Sequence, residues 1–429
     1  MTAAFIIAEY NPFHKGHEYH INATKEALRP DAVVCVMSGH FTQRGSAAIS
    51  DKWSRARMAL HAGADLVLEL HPAYACSSAE YFARGALMTV SALGAEGWLS
   101  FGAENTDMQL ITNIAQILND EPVLFKSVLT YSLSNGLSYA AARQRALLSC
   151  YPGIYGIPVG AAGNARQRLA VFLKAPNNIL AVEYVKAIKF LALHLEPYAV
   201  QRGEYPGASV IRDSIRGLYD FANDRVPSKE AGSEMPSAPG ASGLGALPGY
   251  SQALLSAEFS MGKGPVFDDC FFPQIVSAVR RGAPECLLGY HDVSEGLENR
   301  LYRAAQMAGS YGELIHLATT RRYPMSRVRR VFARVLLGYT KAALDGIGLP
   351  AGPPYLRALG FSANGQKYLS GLKPAVPVIT SYKHLRGVGG RAQAFMELEA
   401  RSTDIYAAAF QNPAFRIAGQ DFTRNPVRL

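Results

Sequence analysis

Four short apolar runs separated by helix-like stretches constrain this chain more than any other feature. AAFIIA (3–8), DAVVCVM (31–37), ADLVLEL (64–70) and GWLSFG (97–102) have the length and near-continuous apolarity of strands buried on both faces. Between them, helices are predicted over about 16–28, 51–62 and 78–93. Such a β-α-β-α-β-α-β rhythm predicts an α/β fold, a doubly wound parallel sheet of Rossmann-like type. Ligands of such sheets sit at the carboxyl ends of the strands, and the loop 11–17 and Gly102 fall at such ends. A helical region is predicted over 107–192, interrupted near 151–163. Beyond residue 250 the pattern is mainly helical.

At 429 residues the chain exceeds one comfortable hydrophobic core, so two domains are expected. VPSKEAGSEMPSAPGASGLGALPGY (226–250), rich in Pro, Gly, Ala and Ser, is the expected linker or mobile loop between domains at 1–225 and 251–429. Charge divides at the same place. Residues 1–250 hold 21 Lys and Arg against 21 Asp and Glu, whereas 251–429 hold 22 against 13. The whole excess of +9 therefore lies in the second part, as expected if it binds a polyanion. Its densest stretch, RRYPMSRVRRVFAR, carries Arg321, Arg322, Arg327, Arg329, Arg330 and Arg334 with no acid, and Tyr323 and Phe332 are read as able to stack on bases. The alternative is a solvated basic helix face; a basic segment joined to a neutral one favours nucleic acid.

The opening MTAAFIIAEYN lacks a basic flank and is too short for a signal peptide or a membrane span. Cys35, Cys76, Cys150, Cys270 and Cys286 are odd in number and far apart, with no CxxC. A disulfide framework and a structural zinc site are disfavoured and a reducing, cytoplasmic setting is expected, with no membrane and no protein partner implied.

The sharpest chemical feature is Glu9-Tyr10-Asn11-Pro12-Phe13-His14-Lys15-Gly16-His17, directly after the first strand. Asn11-Pro12 favours a turn. Gly16 permits close approach where a helix begins, and a helix N-terminus is a natural seat for phosphate. His14 and His17, three apart, would face one side and donate hydrogen bonds to a phosphoryl group. Two other readings stand beside this one. His14, His17 and His20 have metal-like spacing, but no carboxylate or cysteine completes a set locally; alternatively, the histidines are structural. The position of His-x-Gly-His after strand one favours the nucleotide signature, with no metal site.

These residues carry a resemblance. With MSGHFTQRG (37–45), DKWSRARMALHAGADLVLEL (51–70), FGAEN (101–105), GLSYAAAR (136–143), PNNILAVEYVKAI (176–188), GLENRLYRAAQ (296–306), TTRRYPMSRVRR (319–330) and YLRALGFSANGQKYL (355–369), the chain resembles the tRNA(Met) cytidine acetate ligase family of HIGH-motif nucleotidyltransferases. The resemblance implies an ATP-binding catalytic domain at 1–225 and a tRNA-binding domain at 251–429. It implies that Ile7, Ala8, Glu9, Tyr10, Asn11, Pro12, Phe13, His14, Lys15, Gly16, His17, Glu18, Tyr19 and His20 bind ATP, together with Gly102, Asn177 and Arg202. Without it, Gly102 reads as a strand-end turn, Asn177 as an N-cap and Arg202 as a surface charge. A second superfamily signature appears as Ser209-Val210-Ile211-Arg212. Ser209 is read as a helix cap and phosphate ligand and Arg212 as a cation for pyrophosphate. The chain departs from the family at Gly207-Ala208-Ser209, where Ser-Ala-Thr is usual, and in a shortened loop after Arg202. The KMSKS signature is absent, which argues against an aminoacyl-tRNA synthetase.

The reaction implied is a carbon–nitrogen ligation: acetate and ATP form acetyl-adenylate, and the wobble cytidine of elongator tRNA(Met) takes the acetyl group as N4-acetylcytidine. His14, His17, Ser209 and Arg212 are the expected catalytic residues, and Mg²⁺ is expected with the triphosphate at no identifiable site. Two alternatives remain: an adenylyltransferase for a small phosphorylated metabolite, for which the basic second half has no use, and a nucleotide-sensing RNA-binding protein.

Overall fold

The computed structural model of the chain describes residues 1–222, 241–385 and 390–429. Of the expected linker, 226–240 lies outside the described residues; the remainder forms a short helix, Ala241–Leu244, and the start of the helix Gly249–Ser260.

The strands are β1 (Thr2–Ala8), β2 (Ala32–Ser38), β3 (Leu66–Leu70), β4 (Glu96–Ala103), β5 (Leu195–Gln201), β6 (Leu356–Phe361), β7 (Val378–Ile379) and β8 (Val427–Arg428). The first four coincide with the four predicted apolar runs to within two residues at each end. Their order is β5-β4-β1-β2-β3-β6-β7, with β8 also paired to β6. From β5 to β3 every pairing is parallel. Successive strands step outward from β1 through β2 to β3, and β4 returns to the opposite side of β1. The order reverses between β1 and β4, which opens a ligand crevice outside the carboxyl ends of those strands.

Side chains alternate between two cores. Phe5, Val34, Val36, Leu66 and Leu68 face one and Ile6, Val33, Cys35, Met37 and Val67 the other. Helices α1 (Lys15–Leu28) and α2 (Lys52–His61) cover the second face through Ile21, Ala56 and Met58. The helices Ala79–Leu93, Met108–Asp120 and Pro176–Phe190 cover the first. Full burial of each large aliphatic or aromatic side chain contributes about 1.5–3 kcal/mol.

The sheet does not stop at the expected boundary. β6 pairs antiparallel with β3, Leu66 opposite Phe361, and β7 and β8 lie parallel along β6. A buried charge network crosses the same seam. Lys52 Nζ on α2 lies 2.8 Å from Glu69 on β3 and 2.8 Å from Asp421, and Arg357 on β6 lies 3.0 Å from Asp421. Arg424 pairs with Asp51, the N-cap of α2, at 2.9 Å. Buried charges persist only when paired, so these contacts bind the C-terminal residues to the first sheet. Among the described residues, no helix is long and apolar enough to cross a membrane.

Candidate active site

The chain leaves β1 at Ala8 and re-enters regular structure at Lys15, one residue ahead of the expected helix start. His14 is therefore the N-cap of α1 (φ −136°, ψ 170°) rather than part of its first turn. Its Nδ1 accepts the Gly16 N–H at 3.1 Å, and His17 Nδ1 accepts the His14 N–H at 3.2 Å. This is a capping box built from two histidines in place of the usual hydroxyl and carboxylate. The rings stack with centroids 3.7 Å apart. A Cβ on Gly16 would come within 2.9 Å of the His14 ring, which is why glycine stands there.

Burial, then the charges of Arg202 and Arg212, push His14 down to about 4; burial, then His14 and His20, hold His17 well below the usual imidazole range. Both rings are thus neutral near pH 7. With each Nδ1 committed as acceptor, the single proton of each ring resides on Nε2. The pair is a matched set of neutral Nε2–H donors at a helix N-terminus. His20 lies apart: its Nε2 bonds the Ser100 hydroxyl of β4 at 2.9 Å, and burial takes it to about 4. Among the described residues no three His, Cys, Asp or Glu side chains are grouped to hold a metal ion.

The rest of the loop is held from outside. Tyr10, in left-handed backbone (φ 49°), buries its ring against Phe13 and His17, with its hydroxyl 3.2 Å from Cys35 Sγ. Asn11 Oδ1 accepts the Ile49 N–H at 2.8 Å, and Arg212 Nη1 donates to the Asn11 carbonyl at 2.7 Å. Arg212 thereby reaches the loop from the helix Ala208–Ala222. Ser209 does not cap that helix as expected: the helix starts one residue earlier, and the exposed Ser209 sits in its first turn. Lys15 donates to the Gly245 carbonyl at 2.7 Å, Glu18 accepts from the Tyr250 hydroxyl at 3.0 Å, and the half-exposed Tyr19 packs on Tyr205. Ile7, Ala8 and Pro12 supply the strand end and turn.

Gly102, Asn177 and Arg202 meet through a residue that the sequence did not single out. Glu104 accepts the Asn177 side-chain amide at 2.7 Å and the Asn178 N–H at 3.1 Å, and lies 3.5 Å from Arg202 Nη1. The Arg202 stem covers Gly102, where an added Cβ would sit 3.6 Å from it. Asn177 occupies the first turn of its helix, after Ala175 at the N-cap, so it is not the cap.

A second unforeseen residue is Arg55 on α2. Fully buried, it donates to the carbonyls of Glu9 (2.7 Å), Ser38 (3.0 Å), Ser50 (3.1 Å) and Gly39. It ties the carboxyl ends of β1 and β2 together. The available signal was its place with Lys52 and Ala59 at i, i+3, i+7, one helical stripe.

The arginine-rich stretch forms the helix Met325–Leu337. Arg321 and Arg322 are exposed, and Arg327, Arg329 and Arg330 are half-buried. Arg334 is buried, pairing with Asp292 at 2.7 Å and donating to Ser77 Oγ at 3.3 Å, so it faces inward. Tyr323 and Phe332 are also buried and do not present faces for stacking. The aromatic periodicity reported the helix's core stripe. Gly45 (φ 77°), in the loop after β2, lies directly against the Arg329–Arg330 backbone, leaving no room for a Cβ.

A family described as HIGH Nucleotidyl Transferase matches residues 1–421. A tRNA(Met) cytidine acetate ligase of Acetivibrio thermocellus is 38% identical over 441 residues, covering 100% of both chains. One from a Thermoanaerobacter species is 34% identical over 99% of both. The crystal structure of Thermotoga maritima TmcAL bound with alpha-thio ATP superposes with a TM-score of 0.87 at 29% identity, covering 100% of both chains.

Proposed function

The chain belongs to the tRNA(Met) cytidine acetate ligase family of the HIGH nucleotidyl transferases, and from that premise we propose that it joins acetate to a tRNA(Met) cytidine at the expense of ATP. Residues 1–225 hold the nucleotide, 251–429 supply the tRNA surface, and the reaction takes place in the cytoplasm. The acetate carboxylate attacks the α-phosphorus and pyrophosphate leaves. The cytidine N4 amine then attacks the acetyl carbonyl and AMP leaves.

The observation that carries this reading is the stacked pair His14 and His17, neutral and with both Nδ1 atoms committed. Neutral imidazoles are poor acids at pH 7 but good fixed donors. Their Nε2–H groups suit the charge that grows on the phosphoryl oxygens during in-line attack, and loss of one such donor costs about 3–4 kcal/mol in comparable sites. Arg202 and Arg212 add positive charge beside them. Acetate offers little to grip, so the adenylate is held chiefly through its nucleotide. Mg²⁺ is expected with the triphosphate, bound mainly by phosphate oxygens. The described residues offer no cluster of ligating side chains for it.

Incubation with ATP, labelled acetate and tRNA tests the proposal. Label must appear as N4-acetylcytidine after nucleoside digestion, with AMP and pyrophosphate formed in equal amounts. Unlabelled tRNA, with AMP joined instead to another acceptor, overturns it.

A further inference from the structure

We propose that Glu9 is the residue that receives the acceptor amine, holding the N4 amino group of the cytosine by a hydrogen bond and taking its proton during acyl transfer. The inference rests on the ligase reading above. Glu9 stands where β1 ends; the guanidiniums of Arg212 and Arg55 both feel its charge, and Arg212 also feels the carboxylates of Asp213 and Asp268. A carboxylate is a poor neighbour for a triphosphate, so its presence there calls for a cationic or hydrogen-donating partner. Its Oε1 is occupied, accepting the Gln43 N–H at 2.6 Å; Oε2 has no hydrogen bond among the described residues.

The position is also the junction of the two halves. Gln43 Nε2 donates to the Ser77 carbonyl at 3.2 Å, and Ser77 Oγ receives Arg334 from the arginine-rich helix. Two residues beyond Gln43, Gly45 rests on the Arg329–Arg330 backbone. Cytosine presents N4–H₂ as a donor, which a carboxylate accepts; uracil presents an O4 acceptor, which a carboxylate repels. In the transfer, the amine nitrogen bonds to the acetyl carbon and the bond from that carbon to the adenylate oxygen breaks. AMP carries off the electron pair, and the proton from nitrogen passes to the free oxygen of Glu9.

The test is Glu9→Gln in the full-length protein, which keeps a carbonyl oxygen for the Gln43 N–H. Adenylate formation is read by acetate-dependent exchange of pyrophosphate into ATP, and transfer by single-turnover acetylation of saturating tRNA. The expected result is a loss in transfer of 100-fold or more, exceeding any loss in exchange by at least tenfold, with part of the rate restored in Glu9→Asp. Equal loss in both steps, no loss in either, or a changed Mg²⁺ dependence of exchange would overturn it, the last marking Glu9 as a metal ligand. Failure of the wild-type protein itself to acetylate tRNA would instead sink the ligase reading.

Discussion

His14 and His17 lie ring against ring at 3.7 Å, and His17 Nδ1 accepts the backbone N–H of His14 itself. Cap, stack and donor are therefore one device: the contacts that start α1 also decide which nitrogen of each ring carries the proton.

Separating cap from donor is the direct check. Asn is as good an N-cap as any residue, so His14→Asn is expected to keep the fold while lowering acetate-dependent pyrophosphate exchange about 100-fold or more. Thermal unfolding and exchange rates measured on the same preparation decide it; an active variant removes His14 from the chemistry.

Gly16→Ala tests the space under the ring. The added methyl meets the His14 ring at 2.9 Å, so either the ring or the helix start must shift. Misplacement of a catalytic group by about an ångström is worth up to ~100-fold in rate. We expect exchange to fall at least tenfold with a melting temperature close to that of the parent.

Acid should destabilise the protein earlier than its carboxylates alone predict. Burial takes His14, His20 and His71 each to about 4. Between pH 6.5 and 4 the unfolded chain binds protons that the folded chain refuses, so stability is full above 6.5 and is lost as pH falls through that window. Each histidine contributes up to about 1.4 kcal/mol per pH unit. Glu69, Asp268 and Asp404, all raised by burial, act oppositely, while His17 and His40, held low by burial, add to the histidine side. Unfolding midpoints from pH 7.5 to 5 should fall steeply, and less steeply in His20→Gln; a flat profile refutes the assignment.

The arginines divide into two kinds. Arg334→Ala removes a buried guanidinium together with its bonds to the part-exposed Asp292 and to Ser77 and should destabilise by about 1–3 kcal/mol, read by denaturant unfolding. Arg321→Ala with Arg322→Ala should instead weaken tRNA binding and flatten its salt dependence by up to about 0.9 per lost phosphate contact. Unaltered tRNA affinity across a salt series would place the RNA elsewhere.

Asp421→Ala removes one partner from both Lys52 and Arg357. Expected loss is about 3–5 kcal/mol, with early exposure of the C-terminal residues to protease. A neutral effect would mean that the seam is held by β6 alone.

Much of the parallel part of the sheet was legible because its signals are local. Apolar runs of strand length, helical spacing between them and a His-x-Gly-His loop after strand one are properties of neighbouring residues, and the strands, the helices and the loop that starts α1 follow from them. The sequence by itself also determined where the cationic excess lies. Tertiary structure decided everything that depends on which distant segments touch. β6 completes the first sheet from nearly 300 residues beyond β3, an antiparallel pairing no local pattern announces. Glu104 joins Asn177 to Arg202, and Arg55 clasps the ends of β1 and β2 from the inside of a helix. In the arginine-rich helix, periodicity marks a stripe without saying what covers it. Packing turned Tyr323, Phe332 and Arg334 inward, since a side chain's burial is set by its neighbours in space and not by those in the chain.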